Sequence, residues 1–446
     1  MLTRMVESGS VTTKAVLIGV IVLLLLVPLA MLKSVVSERS SLRQQAYQRV
    51  EEGWGGGLIV GGPMLVVPTE RNVVVDDKTR ILRSDIYILP SRLDMDVDVT
   101  LEPQPRYVGI YAVPVYLSKL RLRGQFDFAA LQSTLAQPGV RYLWSQSTLR
   151  LPISSVRSLR EVTRAQFADR HVDLGPAGPG LYRGVEAAFD LEELRNARSA
   201  TFDFAAVVAG SRSVSMLPLG NVTTVSLRSD WPHPSFDGAF LPAERTITEQ
   251  GFQARWQVLE LNRTYRQVFA AGEVDVGTLE QSAFGVGLFQ SVDIYQRAER
   301  AVKYAVLFIA LTFLTLFAWE QVTRNRLHPL QYLLVGLALS MFYLLLIALS
   351  EHIAFAVAYA VAATALGLLI GLYVAGALRS SRRGLVAGTA MAGVYGLLYM
   401  LVLSEDYSLL LGAIILFVSL AAVMLATRRI DWYQARTDQT GSIPSN

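Results

Sequence analysis

The segment 229–236, Ser-Asp-Trp-Pro-His-Pro-Ser-Phe, combines an indole, an imidazole and nearby carboxylates in one short stretch. Its two prolines keep the backbone extended and place Trp231 and His233 on a stiff hook. Asp230 and Asp237 supply the carboxylates. A metal ion needs further ligands, which the surrounding sequence does not provide. We therefore expect a loop that closes the fold. A hook for a ligand or protein partner, and a metal site, are the alternatives.

Three aspartates alternate with apolar residues in the stretch 93–101, Leu-Asp-Met-Asp-Val-Asp-Val-Thr-Leu. Period-two alternation predicts a half-buried strand, with Asp94, Asp96 and Asp98 on its outer face. Side chains two residues apart on a strand are separated by about 6.6–7 Å. Calcium needs its oxygen ligands at about 2.3–2.6 Å, so the three carboxylates cannot converge on one ion. The pattern indicates a solvated strand face.

Glu351 and His352 are adjacent ionisable residues between two long apolar runs. An ionisable group inside a membrane is a functional hypothesis by default. These two residues fall where a connection between membrane helices is expected, so an interfacial loop is favoured. A proton-linked or gating role remains the alternative.

Small residues recur at four-residue spacing in two neighbouring apolar runs. Gly367 and Gly371 form one row, and Gly384 and Gly388 begin the other. Small residues at this spacing allow helix backbones to approach closely. We expect these two helices to pack on each other. A transport site would use a pair of interrupted helices, and the sequence shows no such pair.

Common enzymatic motifs are missing from the sequence. It has no GxxxxGK[ST], no HExxH and no GxSxG. The absence of cysteine excludes thiol catalysis, disulfides and cysteine-bound metals. We expect a protein that is not an enzyme and needs no cofactor. A hydrolase whose catalytic residues are distant in sequence is kept as an alternative, because triads are recognised by geometry.

The elements that position these residues follow from composition. Of the 446 residues, 52% are apolar and 17% charged, against about 25% charged in soluble domains. The run Ala15–Leu32 predicts an uncleaved anchor, because it exceeds a signal-peptide core and no cleavage site follows. With five later runs the sequence predicts six transmembrane helices. Those runs are Tyr304–Trp319, Leu330–Ser350, Ile353–Leu378, Leu385–Leu403 and Ser408–Ala426.

Charges in the connections predict the orientation. Basic residues mark alternate connections and the end of the last run, and acidic residues mark the others. Lys and Arg accumulate on the cytoplasmic side. Both termini are therefore expected in the cytoplasm, and residues 34–303 outside. The basic residues are Arg324, Arg326, Arg379, Arg382, Arg383, Arg428 and Arg429; the acidic ones are Glu351, Glu405 and Asp406.

Four regions follow from this arrangement. Residues 1–33 form the cytoplasmic N-terminus and first membrane helix, and residues 34–303 the outer domain. Residues 304–427 form a five-helix bundle, and 428–446 a cytoplasmic tail. The outer domain has equal numbers of basic and acidic residues, so its charge indicates no nucleic-acid partner. Many short alternating runs predict an antiparallel, sandwich-like β domain. A helical stalk over Ser34–Glu52 precedes it, and 156–198 is expected to be a loop and helix insertion.

Several longer stretches resemble one known family. They are Ser229–Phe236 with Phe240–Ala243; Gly251–Ala254 with Trp256; Arg300–Thr315; Arg326–Leu337; Leu349–His352; and Arg429–Tyr433. On these residues the chain resembles the CreD family of bacterial inner-membrane proteins, described as cell-envelope integrity proteins. The resemblance covers nearly the whole chain and is most specific between 229 and 352. Segment 155–200 and the tail from about Gln434 fall outside it.

The resemblance implies an inner-membrane location and a periplasmic domain. It also implies a role in envelope integrity, linked to envelope stress and to the β-lactam response. It supplies no catalytic or ligand-binding residues. We expect the periplasmic domain to bind or scaffold an envelope protein or cell-wall component, with the lipid bilayer as the other partner. A lipid or small-molecule transporter that uses the C-terminal bundle is the alternative.

Overall fold

A computed structural model describes residues 11–75, 78–129, 138–192, 197–288, 294–323, 328–377, 379–404 and 407–427. The chain divides into two compact units. One takes in the described residues of Met1–Leu42 and Val292–Asn446, and the other is Arg43–Ser291. These boundaries differ from the expected 34 and 303, because the flanking helices extend beyond the apolar runs. The expected tail 428–446 lies outside the described residues, as do Arg324, Arg326, Glu405 and Asp406.

Seven α-helices are described. They are α1 (Val11–Trp54), α2 (Val276–Gln281), α3 (Ile294–Thr323), α4 (Pro329–Ser350), α5 (Phe355–Ala377), α6 (Ser381–Leu403) and α7 (Ser408–Thr427). Helix α1 includes both the apolar run Ala15–Leu32 and the segment Ser34–Glu52. Helix α4 begins at a favourable boundary. His328 is the N-cap, and its Nδ1 accepts a hydrogen bond from the Leu330 N–H. Pro329 takes the first helical position, where its missing N–H costs nothing.

Four described helices are long and apolar enough to cross a membrane. They are Val16–Trp54, Pro329–Ser350, Phe355–Gly376 and Ser381–Leu403. The other two predicted spans, Tyr304–Trp319 and Ser408–Ala426, lie within α3 and α7. These helices fit a multi-pass membrane unit by length and composition, whereas the count of six spans stays a prediction.

The second unit is built mostly from strands. Its strands are β1 (Leu58–Gly61), β2 (Met64–Val75), β3 (Lys78–Ile88), β4 (Arg92–Leu101), β5 (Arg106–Val108), β6 (Tyr111–Val113), β7 (Tyr116–Asp127), β8 (Val140–Tyr142), β9 (Thr148–Pro152), β10 (Leu159–Phe167), β11 (Arg170–His171), β12 (Gly175–Pro176), β13 (Gly184–Ala188), β14 (Ser199–Gly210), β15 (Ser213–Leu217), β16 (Val222–Ser229), β17 (Ser235–Gly238), β18 (Glu244–Thr248), β19 (Gly251–Leu259), β20 (Val268–Ala270) and β21 (Phe284–Gly287).

Two large sheets share one hydrophobic core. An eight-stranded sheet has the order β11-β10-β14-β7-β4-β16-β19-β18, and a seven-stranded sheet has β12-β13-β9-β2-β3-β20 with β8 also on β2. A four-stranded sheet, β1-β15-β21-β17, and the β5–β6 hairpin complete the unit. Buried side chains from both large sheets form one cluster, among them Leu65, Ile88, Val97, Phe126 and Trp256. A β-rich domain is thus confirmed.

The sequence pattern predicted antiparallel sheets, but the sheets also contain parallel pairs. Strand β4 runs parallel to β16, and β1 runs parallel to β15. Parallel neighbours need long crossover connections, and both pairs join strands that are far apart in sequence. The segment 156–198 also differs from the predicted loop and helix insertion. Its strands β10 and β13 belong to the two large sheets, because pairing with β14 and β9 outweighs local helix propensity.

The end of α1 packs within the β-rich unit. The Trp54 ring contacts two guanidinium groups, with Arg106 at 4.3 Å and Arg160 at 4.5 Å from the ring centroid. Such cation–π contacts contribute about 0.5–2 kcal/mol each. An ion pair between Glu51 and Arg212 adds a polar contact one turn earlier. The helix end is therefore tied to this unit by aromatic and charged groups.

Candidate functional site

A groove of about 620 Å³ lies on the outward face of the eight-stranded sheet. Its floor is formed by small side chains, including Ala205 and Val207 of β14 and Ser226 of β16. Longer charged side chains on the neighbouring strands form its walls, among them Lys119 and Arg121 of β7. The groove arises because the short side chains of β14 lie beside the longer side chains of the neighbouring strand β7.

The strand register explains which side chains meet there. Asp98 of β4 lies opposite Lys119, and Lys119 lies opposite Val207. Val207 in turn lies opposite Glu161 of β10. Arg228 of β16 pairs with Asp98 from the other side. Because these residues all point away from the buried core, one row of the sheet carries alternating charge across its surface.

Most charged side chains on this face are already paired. Asp203 accepts two hydrogen bonds from Arg121, at 3.2 and 2.9 Å, and one from Arg164 at 3.0 Å. The bonds from Arg121 lower the pKa of Asp203 against the opposing effect of partial burial, and Arg164 lowers it further. Two further pairs also join neighbouring strands: Arg123 with Asp96 at 2.6 Å, and Arg228 with Asp98 at 3.2 Å. Exposed pairs contribute about 0–1 kcal/mol each, so they mainly set side-chain position.

Several polar groups of the hook at 229–236 are hydrogen-bonded, some within the hook and one to a neighbouring strand. The indole N–H of Trp231 donates to the His233 carbonyl at 2.8 Å. The Asp230 carboxylate accepts a hydrogen bond from the Leu101 N–H at 3.1 Å. Asp237 lies in β17 and accepts from the Ser235 hydroxyl at 3.3 Å. Within the described residues no hydrogen bond or ion pair joins the exposed His233 imidazole to either aspartate, and these contacts fit a structural loop.

No metal centre emerges from the described residues. Among them, no group of three or more His, Asp or Glu side chains lies close enough to hold an ion. Asp94, Asp96 and Asp98 alternate with the buried Leu93, Met95, Val97 and Val99 on β4. Asp94 pairs with Arg92 at 2.8 Å. The three carboxylates therefore face arginines on the outer side of the strand.

A buried arginine holds the loop that precedes β13. Arg150 of β9 is about 4% exposed and donates to Glu186 of β13 at 3.1 and 2.7 Å. It also donates to the Pro179 carbonyl at 3.3 Å. Glu186 accepts the Gly178 N–H at 3.0 Å. Burial acts to raise the pKa of Glu186, but the hydrogen bonds from Gly178 and Arg150 together outweigh it and leave the pKa below its ordinary value. This cluster fixes the Gly/Pro-rich loop.

Glu351 and His352 behave differently in the membrane unit. The Glu351 carboxylate is 11% exposed, accepts a hydrogen bond from the Tyr295 hydroxyl at 3.1 Å, and lies 3.7 Å from Arg39. These contacts connect the end of α4 to α3 and α1. His352 follows as an exposed residue. The structure thus gives the carboxylate a bonded position and leaves the imidazole at the surface.

A second carboxylate in this unit was not anticipated from the sequence. Glu320 of α3 is about 4% exposed and forms an ion pair with Lys14 of α1. Its other oxygen accepts a hydrogen bond from the Tyr332 hydroxyl of α4 at 2.8 Å. The available signal was its position, immediately after the apolar run Tyr304–Trp319. A carboxylate at the end of such a run ordinarily reaches water, but here three helices enclose it.

The four glycines selected from the sequence meet at one helix pair. A Cβ at Gly384 of α6 would lie 2.5 Å from the Gly371 carbonyl oxygen of α5. A Cβ at Gly388 would lie 3.1 Å from the Gly367 carbonyl oxygen. The helices approach too closely for larger side chains at these positions. The structure therefore brings the two rows together as a packing surface.

Comparison with known proteins identifies sequences that are similar to this chain. Residues 10–433 match the model of the family described as Inner membrane protein CreD. The chain is also 35% identical, over 419 residues, to the Inner membrane protein CreD of Escherichia coli strain K12. That alignment covers 92% of this chain and 91% of the relative. Both matches include the β-rich unit and the membrane helices.

Proposed function

Because the chain belongs to the CreD family of inner membrane proteins, we propose that it maintains cell-envelope integrity by binding an envelope component through its β-rich unit. The observation that carries this proposal is the groove on the outward face of the eight-stranded sheet. It provides a recessed, charged surface on a unit for which no catalytic motif was found. The protein then acts as a membrane-anchored binding or scaffolding protein and not as an enzyme.

The binding surface is supported by a rigid base. Every strand that lines the groove also contributes side chains to the buried core, such as Val97, Leu120 and Phe204. Paired arginines and aspartates hold the groove walls in place. A site whose side chains are fixed before binding loses less conformational entropy when the ligand arrives. The groove is therefore organised before any ligand enters.

The membrane arrangement belongs to the same proposal. Six spans place both termini in the cytoplasm and the β-rich unit in the periplasm, where envelope components are found. The positive-inside pattern supports this orientation, with Arg379, Arg382 and Arg383 in a cytoplasmic connection. Single introduced cysteines test it cleanly, because the chain has none of its own. A cysteine at 379–383 should resist a membrane-impermeant maleimide in intact cells, and labelling there would contradict the orientation.

Filling the groove tests the proposed function. We expect Ala205→Trp to occupy the floor without altering the buried face of β14, since position 205 points outward. The variant should reach normal membrane levels but fail to restore envelope integrity in a deletion strain. Integrity is measured as leakage of a periplasmic reporter and as survival under a β-lactam.

Gln257→Trp is the matched control. Gln257 lies on β19, on the same outward face but not among the residues that line the groove. It should restore integrity fully. Equal complementation by both variants would refute a function carried by this groove.

A further inference from the structure

Two charged side chains in the groove are left without an ionic partner. Lys119 and Glu161 form no ion pair within 4.0 Å among the described residues, and both are exposed. They differ in this respect from Arg121 and Arg228, which are paired with aspartates. One ammonium group and one carboxylate are therefore available to a ligand in the same groove.

The sheet geometry keeps these two charges apart. Lys119 lies opposite Val207, and Val207 lies opposite Glu161. Two inter-strand spacings separate the backbones of β7 and β10, which is about 9.6 Å. The intervening floor consists of Val207 and Ala205, whose side chains are short and apolar. A ligand can therefore lie across β14 with a charged group at each end.

The charge balance of the lining limits the class of ligand. Three basic residues, Lys119, Arg121 and Arg228, are matched by three acidic residues, Asp96, Asp98 and Glu161. A neutral lining of mixed sign offers no field that would attract a polyanion or a polycation. None of the residues that line the groove is aromatic, so it lacks the ring platform on which sugars commonly stack. A small ligand that carries both signs fits this lining.

We propose that the groove binds a short zwitterionic peptide of the kind found in cell-wall stem peptides. A ligand carboxylate pairs with Lys119, a ligand ammonium pairs with Glu161, and the chain between them covers Val207. An extended peptide advances about 3.3–3.6 Å per residue, so two or three residues span the distance between the strands. This inference rests on the proposed binding function and names its ligand.

Titration calorimetry of the full chain in detergent micelles tests the inference. The ligand is the tripeptide L-alanyl-γ-D-glutamyl-meso-diaminopimelate. We expect saturable binding, lost when both amines are acetylated and lost when the carboxylates are amidated. Lys119→Gln and Glu161→Gln should each weaken binding about tenfold, as expected for loss of one charged contact. Lys119→Arg should retain binding, because it keeps the positive charge.

Matched controls remove exposed charges outside the groove. Arg71→Gln on β2 and Glu244→Gln on β18 should bind the tripeptide as the unaltered protein does. Circular dichroism confirms that each variant is folded. Absence of binding by the unaltered protein, or binding by Lys119→Gln and Glu161→Gln as tight as that of the unaltered protein, overturns the ligand assignment.

The two proposals fail in different ways. Loss of envelope integrity in Ala205→Trp, without tripeptide binding by the unaltered protein, refutes the ligand class and supports a binding function. Full integrity in Ala205→Trp refutes the proposed function, while the titration still decides whether the groove takes this peptide. The two measurements therefore separate the ligand from the role.

Discussion

The Tyr332 hydroxyl donates a hydrogen bond to the buried carboxylate of Glu320 across 2.8 Å. Lys14 of α1 forms an ion pair with the same carboxylate. One acidic side chain of α3 therefore holds groups from both α1 and α4. A similar arrangement is found at Glu351, which contacts Tyr295 of α3 and Arg39 of α1. Lys14 and Arg39 are 25 residues apart on α1, about 37 Å along the helix, so α1 is fixed at two distant points.

Replacing Glu320 should destabilise the membrane unit. Glu320→Gln removes the negative charge that neutralises Lys14, and breaking a buried ion pair costs about 3–5 kcal/mol. We expect a lower unfolding temperature in detergent and a lower amount of protein in membranes. In Lys14→Met combined with Glu320→Gln, neither charge remains and the amide oxygen still accepts from Tyr332, so stability should largely return. If the double variant is as unstable as the single one, the ion pair is not the cause.

Replacing Glu351 or His352 distinguishes the binding protein from a proton-coupled transporter. Glu351→Gln keeps an oxygen that accepts from Tyr295 and weakens only the 3.7 Å pair with Arg39. His352→Ala alters an exposed side chain. Both variants should restore envelope integrity at normal protein levels. Complete loss of function in either variant, with unchanged protein amount, would favour the transporter.

Glycine substitutions should separate helix contact from helix propensity. Gly384→Ala places a Cβ 2.5 Å from both the Ala375 Cβ and the Gly371 carbonyl oxygen, so α5 and α6 must move apart. We expect a clear fall in unfolding temperature. Gly393→Ala on the same helix meets nothing within 4 Å and should be neutral or slightly stabilising, since alanine favours helices by about 1 kcal/mol. Similar effects at both positions would exclude the contact as the reason.

The groove face should lose stability in acid. Hydrogen bonds from Arg121 hold the pKa of Asp203 below its ordinary 3.8 in the folded protein. Its contribution is therefore complete above about pH 3.8 and is lost as the pH falls through the lower folded-state pKa. The carboxylate is partly exposed, so this contribution is about 1 kcal/mol or less.

Thermal unfolding of the full chain in detergent, from pH 7 to pH 3, measures this effect. Asp203→Asn should be less stable than the unaltered protein at pH 7, and the difference should shrink below pH 3.8. A difference that stays constant over the whole range would show that the charge of Asp203 is not responsible.

The sequence predicted the features that depend on local periodicity. Alternation over 93–101 predicted a strand with its aspartates outward, and β4 has that pattern. Apolar runs predicted membrane helices, and four described helices meet the requirements of length and composition. The motifs around 229–352 indicated the CreD family, which the comparisons confirm. Each of these features is set by neighbours within a few residues or by a contiguous run.

Contacts between distant residues were decided only by the tertiary structure. The parallel pairing of β4 with β16 places Arg228 beside Asp98, and no local pattern encodes that register. The order of β10, β14 and β7 leaves Lys119 and Glu161 on either side of Val207. Apolar periodicity determines which face of a strand is buried, since burial stabilises each side chain separately. Which outward charges become neighbours depends on strand order, and that order is a property of the whole fold.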